Sequence, residues 1–144
     1  MTFSSVEDLK KLEQEMTWEE RGTAPTFYKF LTHTKDRFPN RPAASYQLFS
    51  GPTDPAETLT WAELHAKSVQ AANMFRDMGI GETDSVAFVM PNCTETLITL
   101  FGGMIAGIAN PVNPLLEPEQ IGAILRETDA KVVVTIKSFV KTDV

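Results

Sequence analysis

Cysteine is nearly absent from this sequence. The single Cys93 rules out an intramolecular disulfide framework, and such usage fits a reducing cytosol. Histidine is almost as scarce. His33 and His65 each stand without a neighbouring His, Cys or acid at metal-ligand spacing, so no metal site is expected and both read as surface or half-buried helix residues. Long apolar runs are missing too. The longest, Leu97 to Val112, is interrupted by Thr99, glycines, Asn110 and Pro111, too short and too broken to span a bilayer. Residues 1–20 have no apolar core of the kind a signal peptide needs and carry six acidic side chains, unlike a transit peptide. A cytoplasmic protein with no membrane span is the expectation. There is no G-x-x-x-x-G-K-[ST], no G-x-G-x-x-G and no G-x-S-x-G, which removes the P-loop, the dinucleotide-binding first turn and the hydrolase nucleophile elbow. No internal repeat or low-complexity tract occurs.

What is present is a 144-residue chain with 42% apolar and 22% charged residues, a composition that folds around a core. Its formal net charge of −6 argues against nucleic acid as a partner.

The pattern of apolar residues predicts an alternation of helices and strands. Ser5 to Asp8 has the form of a capping box opening a short helix from Val6 to about Gln14. Thr26 can cap a second helix with Phe27, Phe30, Leu31 and Thr34 on one stripe, which Pro39 forbids from continuing through Phe38. Strands at Ala43 to Phe49 and Glu57 to Leu59, joined by the turn-rich stretch from Ser50 to Pro55, form an antiparallel hairpin. Thr60 and Glu63 make a clear capping box for a helix reaching Met78, with Leu64, Ala71, Ala72, Phe75 and Met78 inward, Lys67, Gln70, Asn73 and Arg76 outward, and Gly79 as its left-handed stop. Val86 to Met90, apolar throughout, reads as a central parallel strand covered on both faces. Asn92 and Glu95 have cap spacing for the next helix, which is apolar nearly all round and therefore expected to be buried, with Gly102 and Gly103 admitting another backbone. A strand near Ala109 to Val112, a helix begun by Pro118 that gathers Ile121, Ile124 and Leu125, and a strand from Val132 to Ile136 complete a βαβαβ unit. The fold class is α/β: a three-layer, mainly parallel sheet with helices on both faces, plus an N-terminal helical extension and a β-hairpin.

Ligands of open α/β sheets sit beyond the carboxyl ends of the strands, which directs attention to Pro91-Asn92-Cys93-Thr94 and Asn113-Pro114-Leu115-Leu116. Amides at the start of the helix after Asn92 could receive an anion, but capping preference favours Asn92 simply capping its own helix. Cys93 there reads as a small, partly buried side chain rather than a reactive thiol. The acids Glu19-Glu20 and Glu117 to Glu119 read as solvated or helix-start charges, and the glycines at 79, 81, 102, 103 and 107 as helix ends and close packing. No catalytic residue is assigned.

Five segments in order resemble the adenylate-forming, AMP-forming acyl-CoA synthetases: Phe38-Pro39-Asn40-Arg41-Pro42-Ala43, Thr60-Trp61-Ala62-Glu63-Leu64, Ala72 to Gly79-Ile80, Val86 to Asn92, and Gly107 to Pro114. The resemblance covers about Thr26 to Ile136. It implies an N-terminal helical extension over residues 1–24 and the N-terminal part of the large adenylation domain over 25–144. It also implies a longer enzyme using ATP, Mg and CoA, which activates a carboxylic, expectedly fatty, acid to acyl-AMP and passes it to the CoA thiol. That family's phosphate loop, ATP motifs, hinge and catalytic lysine lie downstream of this stretch, so the chain by itself is expected to be inactive, to hold no tightly bound cofactor and to self-associate. In some members basic residues after the last strand face the nucleotide end of CoA; Lys137 and Lys141 occupy that neighbourhood, although exposed lysines are the plainer reading. An acyl-AMP ligase delivering to a carrier protein shares the pattern, and a free-standing, non-catalytic binding module is the alternative from another class. A dinucleotide-binding oxidoreductase is opposed by the missing glycine-rich turn.

Overall fold

The computed structural model describes residues 5–17, 19–49, 51–139 and 142–143. Helix α1, Val6–Glu15, is capped by Ser5, whose Oγ accepts from the Asp8 amide, and buries none of its residues. Helix α2, Phe27–Arg37, is capped by Thr26 and stops before Phe38-Pro39, as the proline requires. Of its anticipated stripe only Leu31 is buried. Phe27 and Thr34 are half-buried and Phe30 is 57% exposed, because the helix rests on two later helices, α3 (Trp61–Asp77) and α4 (Thr94–Ala106), along a narrow line instead of a broad face. Phe27 keeps an edge-on contact with Phe101, their centroids 4.7 Å apart.

Strands β1, Pro42–Gln47, and β2, Ala56–Thr60, form the anticipated antiparallel hairpin, with Ser45 opposite Thr58 and their hydroxyls bonded at 2.8 Å. The hairpin is tied to the end of α2 by the Trp61 and Ala62 amides, which donate to the carbonyls of Arg41 and Pro39. Helix α3, Trp61–Asp77, opens with the capping box: the Glu63 amide donates to Thr60 Oγ1 while the Glu63 carboxylate accepts from the Thr60 amide. Leu64, Ala72 and Phe75 turn inward and Ala71 is half-buried. Met78 departs from the expected stripe at 59% exposure, since the helix has ended there and Gly79, at φ +90°, swings the chain toward the sheet.

The core sheet has three parallel strands in the order β4-β3-β5, with β3 at Ser85–Val89, β4 at Ile108–Val112 and β5 at Ala130–Thr135. Every residue of β3 is buried, as its unbroken apolar run foretold. Alternation along β3 separates two cores. Val86 packs with Ala72, Phe75, Ile80 and Ala106 beneath α3 and α4, while Ala87 and Val89 pack with Val112 and the half-buried Ile121, Ile124 and Leu125 of helix α5, Pro118–Glu127. The three-layer arrangement follows. Pro111 sits on β4, an edge strand, where its missing amide costs the sheet no ladder bond to a further neighbour. Asp129, at φ 45°, makes the turn from α5 into β5. A short antiparallel pair, β6 at Ser138–Phe139 and β7 at Thr142–Asp143, follows.

Helix α4, Thr94–Ala106, corrects the expectation of burial all round. Its buried residues are Thr94, Thr99, Gly102, Gly103 and Ala106, whereas Leu97, Ile98, Leu100, Phe101 and Ile105 are half-buried and Met104 is exposed. The small residues set the contact because they allow closer approach than leucines would. A Cβ on Gly102 would stand 2.7 Å from Ala71 Cβ and 3.2 Å from the Ala72 amide nitrogen on α3; one on Gly103 would stand 3.1 Å from Ala109 Cβ. Gly107 is tighter still, its notional Cβ 2.6 Å from the carbonyl oxygens of Gly81 and Asp84.

Candidate functional site

Strands β3 and β4 deliver their carboxyl ends to one side of the sheet. Between them lies an open cleft of about 420 Å³, walled by Phe88, Met90, Pro91, Pro111, Pro114 and Leu115 with Asn92, Thr96 and Asn113 at its rim. The Leu115 amide donates to Asn113 Oδ1 at 2.9 Å, an Asx turn that holds the β4 exit in place. A second cleft of about 230 Å³ separates the hairpin from the start of α4, lined by Ala44, Tyr46, Cys93, Thr94, Leu97 and Leu100 among others. Both are largely apolar, so they offer shape and little catalytic chemistry.

The start of α4 differs from its expected form. Cys93, not Asn92, is the N-cap, and its side chain makes no capping bond; Asn92 is exposed. The local chain prefers another closure: Thr96 Oγ1 turns back to the Pro91 carbonyl and lies 3.2 Å from Cys93 Sγ, which leaves the thiol half-buried beside a hydroxyl. A carboxylate from far along the chain completes the arrangement. Thr94 Oγ1 donates to Glu57 Oε2 at 2.7 Å, so the acid of β2 stands at the first turn of α4. Glu57 was invisible to sequence reading, because 37 residues separate the pair and only the hairpin brings them together. Its presence also disfavours an anion at these amides, since a like charge already occupies the helix start.

The other residues singled out by sequence are dispersed. His65 Nε2 lies 3.0 Å from Thr32 Oγ1 and its ring faces Tyr28 between α2 and α3, while His33 is exposed on the far side of α2. Among the described residues no three His, Cys, Asp or Glu side chains gather as metal ligands. Glu20 accepts from the Thr17 amide and hydroxyl, a local turn, and Glu117 and Glu119 are exposed around the start of α5. Lys137 is exposed past β5, and Lys141 lies outside the described residues.

At the opposite end of the sheet Asp84 joins the turn before β3 to β5, accepting from Lys131 Nζ and from the Gly81 amide. Those bonds, the lysine's first, hold its carboxyl below the ordinary 3.8. The Thr60 amide and hydroxyl likewise hold Glu63 below 4.5, and burial, assisted by nearby Lys35, lowers His65 from 6.5. All three bind protons less readily folded than unfolded, so each contributes stability above its unfolded value and loses it as pH falls. Melting temperature is therefore expected to slip gently below pH 6.5 and further below 4.5, and Glu63→Gln should flatten the acid limb. An unchanged melting temperature from pH 7 to 4 would refute the assignment.

Residues 31–144 match the family described as AMP-binding enzyme. Among curated relatives, a marinolic acid–CoA ligase from Pseudoalteromonas sp. is 29% identical over 132 residues, covering 92% of this chain and 20% of its own length. Among solved structures, a Mycobacterium tuberculosis fatty acyl CoA synthetase superposes with a TM-score of 0.65 at 26% identity, covering 76% of this chain and 21% of that one. An artificially fused adenylation–PCP di-domain from Klebsiella oxytoca shares the fold, with a TM-score of 0.66 at 21% identity over 76% of this chain and 20% of that one. The chain thus spans about a fifth of the length of the curated relatives it matches.

Proposed function

The chain belongs to the AMP-binding enzyme family, and we propose that it forms the N-terminal part of the large adenylation domain of an AMP-forming acid–thiol ligase, with residues 1–24 as a helical extension. In that reading the complete enzyme condenses a carboxylic acid with Mg-ATP to acyl-AMP and pyrophosphate, and the CoA thiol then displaces AMP to give the thioester. A fatty acid is the substrate class supported by the fatty acyl CoA synthetase among the superposed structures. The observation that carries the proposal is the acid–CoA ligase aligned along 92% of the chain.

The contribution of these residues is a scaffold. The strand-to-helix turn at β3 that would be the natural seat for a phosphate holds Glu57, and the clefts beside it lack cations. The described residues therefore do not fit ATP, Mg or CoA, and no reaction step is assigned to them. Lys131 on β5 is already paired with Asp84, and Lys137, just past β5, is exposed. No helix among the described residues is long and apolar enough to cross a membrane, and a cytoplasmic location is part of the proposal. Exposed Ile108 on β4, Val133 on β5 and Leu115 in the loop after β4 are apolar surface that self-association of the chain would cover.

The test is carboxylate-dependent exchange of labelled pyrophosphate into ATP. Residues 1–144 are expected to give only background, and the chain extended through its downstream reading frame to give exchange with fatty acids and thioester on adding CoA. Exchange by residues 1–144 alone would overturn the division of labour. In a second reading the acyl group passes to a carrier protein; thioester on a carrier protein and none on CoA selects it.

A further inference from the structure

Two exposed helices of this chain are complementary in charge and in apolar character, and α1 buries none of its residues. On α1, Leu9 and Leu12 lie at helical spacing, with Met16 following just past the helix end, Glu13 and Glu15 on the flanks and Lys10 and Lys11 on the opposite side. Leu9 and Met16 are 37% and 44% exposed, an amphipathic helix with its apolar stripe uncovered. On α2, Lys29, His33 and Arg37 share the side opposite buried Leu31, with Phe30 among them, and Arg41 continues the row. From residue 27 to 41 there are four basic residues against one acid, Asp36, which is paired with Lys35, although the chain as a whole carries −6. Arg37 and Arg41 take no carboxylate among the described residues; their guanidinium groups lie 5.2 and 4.8 Å from the Phe38 ring centroid.

We propose that α2 is a docking surface for α1 of a second copy of this chain, the two copies exchanging their N-terminal helices about a two-fold axis. Leu9, Leu12 and Met16 cover Phe30, and Glu13 and Glu15 meet Lys29 and Arg37. The chain's own α1 is left with no buried residue. The Glu20 carboxylate accepts from the Thr17 amide, and the Arg21 guanidinium donates to the Leu12 carbonyl, so the link folds back against α1 instead of carrying it onto α2. An exchanged pair gives two identical contacts per dimer, each combining burial with opposite charge.

The experiment is light scattering and sedimentation on residues 1–144, with Glu13→Lys/Glu15→Lys and Lys29→Glu/Arg37→Glu as reversals. Lysines at the end of α1 and a glutamate at Lys29, in the first turn of α2, suit the helix dipoles, whereas a glutamate at Arg37, in its last turn, opposes the dipole, so melting temperatures are expected to hold for the α1 reversal and for Lys29→Glu and to fall slightly for the double α2 reversal. The parent is expected to be a dimer that weakens as salt rises from about 0.1 to 1 M. Each reversal is expected to weaken it by about tenfold or more. An equimolar mixture of the two reversed proteins is expected to restore a dimer, since each acidic helix then finds a basic one. A monomeric parent overturns the proposal, as does association that neither salt nor the reversals move, which assigns contact to the apolar sheet surface. Reversed proteins that stay monomeric when mixed also overturn it, because docking within one chain cannot be rescued in trans. If Lys29→Glu/Arg37→Glu melts early, Lys29→Glu alone replaces it. Pyrophosphate exchange by a longer chain is independent of all these outcomes.

Discussion

Gly102→Leu is expected to yield insoluble protein or to lose about 3 kcal/mol or more of stability, read as a collapse of the denaturation midpoint. A Cβ alone at this position meets Ala71 Cβ at 2.7 Å and the backbone of Ser68 and Ala72 at 3.2 Å, on a helix whose own Ser68 and Ala72 are fully buried. Neither partner is the movable end of a long side chain. Leucine therefore has to push α3 away from α4, opening the core that Phe75 and Ala106 share. Gly102→Ala is a finer measure. Alanine gains roughly 0.5 to 1 kcal/mol of helix propensity over glycine, and the overlap at Ala71 opposes it, so a net loss smaller than that of leucine is expected. Lys67→Leu, on the outer face of α3, should change stability by no more than about 0.5 kcal/mol. A Gly102→Leu protein melting with the parent would remove the close helix contact from the account and the layered fold with it.

The sequence made the elements legible where their causes are local. Thr60 and Glu63 are three residues apart and needed no tertiary partner to define a helix start, and the run from Val86 to Met90 admits few environments other than the centre of a parallel sheet. It misled where two local solutions competed or where packing chose the face. Asn92 had the chemistry of a cap, but the chain started α4 one residue later and closed the turn through Thr96. Phe30 had the hydropathy of a core residue, yet Leu31 is the side chain that α3 and α4 enclose. For α4, counting apolar residues pointed to burial on all sides, whereas contact distance is set by the glycines and threonines that permit approach. The candidate site was legible as a place and not as chemistry. The carboxyl ends of β3 and β4 do open on clefts, but Glu57, which accepts from Thr94 at the first turn of α4, is joined to it only through the hairpin register.

Phe75→Ala is expected to destabilise by about 3 to 5 kcal/mol, while Met78→Ala, three residues on and written into the same apolar stripe, should cost less than about 0.5. Phe75 is 1% exposed and packs among Ala72, Ile80, Val86 and Ala106, where α3, α4 and the central strand converge. Its removal leaves a void whose walls are backbone-tight: Val86 is fixed by ladders on both sides, and α4 is held by Gly102 against α3 and by Gly103 against β4. Collapse into that void is therefore limited, which places the loss toward the upper part of the range. Met78 lies past the last turn of α3 at 59% exposure, so its truncation removes little buried surface. Urea titrations of the two variants with an unchanged slope test the contrast directly. Equal losses would mean that the α3 stripe continues through Met78 onto the sheet, and the turn at Gly79 would then have to lie later than it stands here.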